Sequence, residues 1–434
     1  SVSTVMLPLE LAIANLVLES DSRPGVSIIR LTFTPESSDT QPNIAGDGSK
    51  VAFLQYDGND CEVFVVNTDG TGLRQLTDNN VADGWVSISG DGSKVVFVSG
   101  DYYEQEVFIV NSDGTGLTQL TNNMYGVDEP SISADGTKVT FRVGSEIWVI
   151  NSDGSGLIKV GDNTDPGSGS GPAISGDGSK ISFESYVGGQ SEIFVVNSDG
   201  TGLSQLTNKQ FNWPNRISIS DDGSKVTFEA SDVSGNNFDI FVVNTDGSGL
   251  KRLTDYEGID AFWNQGKNCI SANGSRIAFA SNRHSISDIF VVDTYEPRID
   301  QITNTSFRDV DPSISDDGSK IAFASERYGE YDIFLAIYEP TTQLFHDLAV
   351  VSVLPSFTEV YVGQIVNITV TVQNQGNFTE TFQVTCKYEL EGVEHPIGIQ
   401  TVTDLTANTT TTLTFTWTTT DITVHTIKAE IPPL

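Results

Sequence analysis

The chain has 434 residues, enough for roughly two to four domains. It carries 58 acidic and 23 basic residues, a net charge of −35. That charge opposes binding to nucleic-acid phosphates or anionic lipid and suits cation-rich surroundings or a cationic partner. With 38% hydrophobic residues and 40 glycines, the composition fits a turn-rich, all-β chain.

Residues 1–26 form an apolar extension. Its richest stretch, Val5 to Leu18, is too short to span a bilayer and is broken by Pro8, Glu10 and Asn15. No membrane span is expected in this chain. The chain opens on Ser1 and reads as a mature chain without its signal peptide, or as a fragment. Leu7, Leu9, Leu11 and Ile13 alternate with other residues at period two, the pattern of a strand. A short packed helix and a signal-peptide remnant are the competing readings.

Residues 27–340 are organised by repetition. The phrase Ile-Ser-x-Asp-Gly-Ser-Lys-Val-x-Phe is followed by Glu-Ile-Phe-Val-Val-Asn-x-Asp-Gly-x-Gly-Leu and then Gln-Leu-Thr. Its first glycine recurs at Gly48, Gly92, Gly136, Gly178, Gly223, Gly274 and Gly318, with spacings of 44, 44, 42, 45, 51 and 44. Seven copies of that length predict a seven-bladed β-propeller of four-stranded blades. In the second copy, strands are expected up to Ile88-Ser89 and over 94–99, 106–111 and 117–121. The Asp-Gly pairs between them supply hairpin turns. Phe53, Phe97, Phe141, Phe183, Phe228, Phe279 and Phe323 recur at blade spacing, as do Phe64, Phe108, Trp148, Phe194, Phe241, Phe290 and Phe334. Both sets are expected in the core.

The seventh copy lacks a clear Gln-Leu-Thr strand, and the N-terminus has a spare one, Arg30-Leu31-Thr32. Thr32 lies 16 residues before Gly48, as Thr207 lies 16 before Gly223. Residues 27–34 are therefore expected to close blade seven, which removes two sheet edges. Residues 342–345 are the competing candidate.

These repeats resemble the TolB-type, WD-like propeller repeat family. The resemblance is carried by Asp309-Val310-Asp311-Pro312-Ser313-Ile314-Ser315-Asp316-Asp317-Gly318 and by Glu129-Pro130-Ser131-Ile132-Ser133-Ala134-Asp135-Gly136. It implies the fold and a habit of protein binding. Familiar TolB proteins have six blades and a separate N-terminal domain, so the TolB role itself is not implied.

Residues 346–434 hold 20 threonines, and their basic residues are Lys387 and Lys428. Alternation predicts strands over 347–353, 365–373, 382–388, 397–402, 411–417 and 424–430, an immunoglobulin-like β-sandwich. The run Tyr361-Val362-Gly363-Gln364-Ile365-Val366-Asn367-Ile368-Thr369-Val370-Thr371-Val372-Gln373-Asn374-Gln375-Gly376-Asn377 and the later Leu413-Thr414-Phe415-Thr416-Trp417 resemble CARDB-type, cell-adhesion-related modules of bacterial and archaeal surface proteins. Such modules usually end on one further strand, which this chain would lack. Residues 4–18 of one copy would then complete the 346–434 domain of the next, as a donated strand.

Little catalytic chemistry is visible. Cys61, Cys269 and Cys386 are far apart and form no metal or redox motif. No two of the four histidines have ligand spacing. Gly167-Ser168-Gly169-Ser170-Gly171 has glycine where a hydrolase elbow needs serine. No arginine triad is visible for a sialidase-type site, and paired glycosidase carboxylates stay open. The chain is therefore expected not to be an enzyme. Asn67-Thr68-Asp69-Gly70-Thr71-Gly72 reads as a turn rather than a calcium loop. No cofactor is expected, although loose calcium binding suits so acidic a surface.

The loops entering the blades carry Trp85, Tyr125, Trp213, Trp263 and Phe307 beside acids such as Asp128. They are candidates for binding a sugar, a peptide or a cationic partner at the channel mouth. The sequons at Asn273, Asn304, Asn367, Asn377 and Asn408 favour a glycosylated surface protein. The favoured reading is a non-enzymatic extracellular adhesion or structural protein. Its expected partners are other copies of itself, other surface proteins or glycans. The alternative is a secreted ligand- or carbohydrate-binding, or carbohydrate-active, propeller with its site at the channel mouth.

Overall fold

A computed structural model describes residues 18–19, 25–34, 37–56, 58–101, 104–122, 124, 126–162, 171–208, 211–231, 237–261, 269–295, 297–338, 348–357, 359–374, 379–390, 393–406, 409–419 and 425–431. The chain divides into two compact units, 1–339 and 340–434.

The first unit is built from the repeat. In blade one, Ser38–Ile44, Lys50–Tyr56, Cys61–Asn67 and Arg74–Gln75 pair in sequence order. Six such four-stranded sheets and one five-stranded sheet follow the seven copies of the repeat. The β-branched and aromatic residues suit a pleated, buried surface. Phe53 and Phe64 are cross-strand partners whose rings stack at 5.7 Å. Phe97 and Phe108 repeat the arrangement at 5.8 Å. The rings on the second strand of each blade are 0–2% exposed and are core; on the third strand Phe241, Phe290 and Phe334 are buried, and Phe64, Phe108, Trp148 and Phe194 are half-buried against it.

The fourth strands are shorter than the sequence predicts. Thr118–Gln119 stands where 117–121 was expected. The threonine of Gln-Leu-Thr explains this. Leu120 N–H still donates to Val107 O at 2.8 Å, but Val107 N–H donates to the Thr121 hydroxyl, also at 2.8 Å. A side chain replaces a ladder carbonyl, and the strand peels away.

The ring closes at its N-terminal strand. Val26–Arg30 pairs antiparallel with Asp332–Tyr338, with Ile28 opposite Ala336. Ile333 N–H donates to the Thr32 hydroxyl at 2.9 Å, the same bond that Thr77 accepts from Val63 at 2.8 Å. Arg30 pairs with Asp332 at 2.7 Å. The competing segment 342–345 lies outside the described residues. Leu18–Glu19 adds a fifth strand outside the closing one, with Leu18 opposite Ile29.

A girdle of backbone bonds runs round the axis. Asp47 N–H donates to Gly90 O, Gly90 to Ala134, Asp135 to Gly176, Gly176 to Asp221, Asp222 to Ala272, Ala272 to Asp316 and Asp316 to Gly46, all at 2.8–3.1 Å. The circuit returns to its start after seven blades. Small residues dominate because the blades converge there. A Cβ on Gly46 would stand 2.4 Å from the Asp316 carboxylate.

The second unit is a β-sandwich of two three-stranded sheets. One runs Leu348–Pro355, Ile365–Asn374, Thr410–Thr418; the other runs Val393–Leu405, Glu380–Leu390, Thr426–Glu430. Val366, Ile368, Val370, Val372, Phe382, Val384, Cys386 and Phe415 form its core. All six strands lie where alternation predicts them. Among the described residues no helix is long and apolar enough to cross a membrane.

Candidate functional site: the propeller axis and its mouth

Each innermost strand carries its chemistry three residues before a buried isoleucine. Gln41, Trp85, Glu129, Arg216 and Asp311 hold that position in five blades, all with φ of 50–56°. The strand pairing shifts register at each of these positions, as in a β-bulge. Left-handed backbone is costly for such residues, and it re-aims the side chain. Most of these side chains turn toward the next blade. A Cβ on Gly171, the equivalent residue of blade four, would stand 2.3 Å from Glu129 Cβ. The Asp311 carboxylate accepts from the Gln41 backbone N–H across the blade seven–blade one seam. Burial pushes Asp311 up to about 6, against the pull of that bond, Arg216 and Arg308. Arg216 also reaches Glu229 at 3.3 Å.

The next residues along reinforce the ring. Asn43 Oδ1 accepts from Ile88 N–H at 3.0 Å, and Ser313 Oγ accepts from Ile44 N–H at 3.1 Å. Cys269 Sγ donates to Pro312 O at 3.4 Å. Burial holds that thiol well above its usual range, so it is inert packing rather than a nucleophile. None of the three cysteines is in a disulfide among the described residues.

Further down the axis, Ile88, Ile132, Ile174, Ile219, Ile270 and Ile314 line a constriction with Gly46, Gly90, Ala134, Asp221 and Asp316. Asp221 and Asp316 hydrogen-bond to each other across it. Burial, then the charge of Asp316, pushes Asp221 up to about 7; Asp222 and Asp177 add to the effect. Asp316 is raised as well, by burial and by Asp317 and Asp47. Two carboxylates this close hold one proton between them.

A stability consequence follows with a definite sign. The folded state holds a proton that the unfolded chain releases near 3.8. Stability is intact below that pH and falls as pH rises toward about 7. Asp221→Asn removes the penalty. It is expected to match the native chain at pH 4 and to be more stable at pH 8 by roughly 2 kcal/mol. Urea unfolding at the two pH values measures this. Equal stabilities at pH 8 would contradict the shared proton.

The residues selected from the sequence do not form one surface. Trp85 is half-buried and packs into the seam between blades two and three. Asp128 is held by Arg142 through two bonds of 2.8 Å. Phe307 is 41% exposed, on the loop ahead of the blade-seven inner strand. Tyr125 and Trp263 lie outside the described residues, as does the side chain of Trp213. Leu7, Leu9, Leu11 and Ile13 also lie outside them. Asn273, Asn304 and Asn367 are exposed, and Asn377 and Asn408 lie outside the described residues.

The Asn-Thr-Asp-Gly-Thr-Gly phrase is a turn. Asp69 Oδ1 accepts from the Thr71 hydroxyl at 2.6 Å and from Thr71 N–H at 2.9 Å. The hydroxyl bond, then the backbone bond, holds this carboxyl below its usual range. In the sandwich, His395 and His425 both contact the Tyr388 ring, at 5.0 and 5.1 Å. Sequence spacing could not pair them. Among the described residues no three His, Cys, Asp or Glu side chains are grouped to hold a metal ion.

Comparison with known proteins agrees with this architecture. Residues 345–433 match the CARDB family, so the chain contains a CARDB domain. An oligogalacturonate lyase of Vibrio parahaemolyticus is similar at 14% identity and a TM-score of 0.56, over 74% of this chain and 95% of that one. The β-propeller domain of the Trilobed protease from Pyrococcus furiosus is similar at 12% identity and a TM-score of 0.52, over 70% and 94%. TolB from Acinetobacter baumannii is similar at 16% identity and a TM-score of 0.45, over 60% and 65%. No curated protein matches the chain. The lyase and the Trilobed-protease propeller show the β-propeller fold, and the family match places a CARDB domain after it.

Proposed function

We propose that the protein is a non-enzymatic extracellular structural or adhesion protein. Its propeller serves as an interaction platform, and its sandwich joins copies of the chain. The reading rests on the open edge of the sandwich. Leu348–Pro355 is an edge strand, and its Val351 and Leu354 are 54% and 62% exposed. In the segment that follows, Phe357 and Tyr361 are 52% and 85% exposed. Edge strands usually carry charge or proline to prevent pairing; this one carries no charge, its proline stands only at its last residue, and it presents apolar side chains. The CARDB match and the three exposed sequon asparagines support the same setting.

The donated segment would come from residues 4–18, led by Leu7, Leu9, Leu11 and Ile13. Leu18 pairs with Ile29 of its own propeller, so the donated run ends before it. Head-to-tail donation does not close on itself and would build a filament. Lysines at Val351 and Leu354 are expected to leave the fold intact and to abolish self-association in multi-angle light scattering. Association that persists in this double variant would contradict the reading.

A further inference from the structure

The blade seams hold a recurring pair of acids. One is the first or second residue of a blade's third strand. The other is the first or second residue of the innermost strand of the next blade. The pairs are Asp239 and Asp260, Asp288 and Asp309, Asp332 and Asp39, and Glu62 and Asp83, each residue at most 4% exposed. At three of these seams an arginine supplies the missing charge. Arg252 reaches Asp239 at 2.6 Å and Arg283 reaches Asp260 at 2.9 Å. Arg327 reaches Asp309 at 3.0 Å. Arg30 reaches Asp332 at 2.7 Å.

The seam between blades one and two breaks this rule. Among the described residues no ion pair reaches Glu62 or Asp83. Asp83 and then a third carboxylate, Asp60, act on Glu62 instead, and the Glu62 and Asp83 carboxyl groups lie within hydrogen-bond reach of each other. Glu62 Oε2 and Asp83 Oδ2 are buried, and outside this pair of acids no described residue donates to either oxygen. Their other oxygens are held by one loop residue. Asn79 N–H donates to Glu62 Oε1 at 2.9 Å, and Asn79 Nδ2 approaches Asp83 Oδ1 at 3.4 Å. The Thr77 hydroxyl stands between the acids, and Ser99 is the cross-strand partner of Asp83. Seams with a single acid show the ordinary solution. The Glu192 carboxylate takes its hydrogen bond from the Thr207 hydroxyl at 2.6 Å.

We propose that Glu62 and Asp83 bind a divalent cation, calcium, in the place that arginine fills at the other seams. Two carboxylate oxygens supply the charge, and the Thr77 and Ser99 hydroxyls and water complete an irregular oxygen shell. Asp60 adds negative charge beside it. Such a mixed, irregular shell suits calcium better than magnesium, which demands a near-ideal octahedron. With only two carboxylates, the affinity expected is that of extracellular modules, on the order of 0.1–1 mM.

The test uses the full chain. It is stripped with a chelator and its melting temperature is followed as calcium chloride is added at fixed ionic strength. Calcium is expected to raise the propeller transition by at least about 3 °C at several millimolar. Magnesium is expected to do much less. The shift should vanish in Glu62→Gln/Asp83→Asn and survive in Glu192→Gln. No shift in the native chain would overturn the proposal without recourse to any variant. A shift that persists in the double variant would also overturn it, by assigning the ion to the acidic surface. A double variant that melts higher than the native chain, with calcium inert on both, would show a shared proton instead.

Discussion

Deleting residues 26–32 is expected to prevent the propeller from folding. Ile28, Ile29 and Leu31 are 0%, 5% and 3% exposed, and each buried side chain of this size contributes about 1.5–3 kcal/mol. The deletion also strips the backbone partner from Asp332–Tyr338 and leaves Asp332 without Arg30. Set against a total stability of about 5–15 kcal/mol, this is most or all of what holds a domain folded. The unpaired Asp332–Tyr338 strand becomes an edge, and aggregation should accompany the loss. Thr32→Val is the mild counterpart. It removes the acceptor for Ile333 N–H and the hydroxyl bond to the buried Asp39, and should cost about 1–3 kcal/mol. Calorimetry of both variants measures this. An unchanged propeller transition in the deletion would mean that another segment closes the ring.

Arg327→Leu is expected to be nearly as severe. The Arg327 side chain is 4% exposed and its partner Asp309 is fully buried. The guanidinium also lies 4.9 Å from the Phe334 ring centroid. Removing the cation leaves a buried charge uncompensated, at a cost of about 3–5 kcal/mol. Burial already raises the Asp309 carboxyl, and Arg327 is the main force pulling it down. Without the arginine it rises further. The loss is then greatest at neutral and higher pH and shrinks as acid protonates Asp309. Arg327→Leu combined with Asp309→Asn should recover most of the stability at pH 8. Urea titrations of the three proteins at pH 5 and 8 separate this account from a simple packing defect, in which the second substitution would not rescue.

The parts of this architecture that repeat were legible in the residues. Period-two alternation and Asp-Gly turns gave the strands, and the spacing of Thr32 from Gly48 located the closing strand. The sandwich strands followed from alternation alone, because one face of each is buried and the other is not. What stayed hidden depends on neighbouring blades. The left-handed position of Gln41, Trp85, Glu129, Arg216 and Asp311 carries no shared residue type, since it is set by how each inner strand meets the next. Trp85 looked like a loop aromatic, and its place in a seam required knowing what lay beside it. The seam acids were visible as residues but not as pairs. Asp239 and Asp260, or Glu62 and Asp83, lie about 20 residues apart and meet only because adjacent blades stack. The constriction pair is more distant still. Asp221 and Asp316 are 95 residues apart and face each other because blades five and seven share one axis.

Self-assembly through the sandwich is tested most directly by electron microscopy of the full native chain. The account predicts seven-spoked rings joined into ordered, extended assemblies that dissociate when Val351 and Leu354 are replaced by lysine. Monodisperse single particles of the native chain, under conditions where the fold is intact, would contradict it.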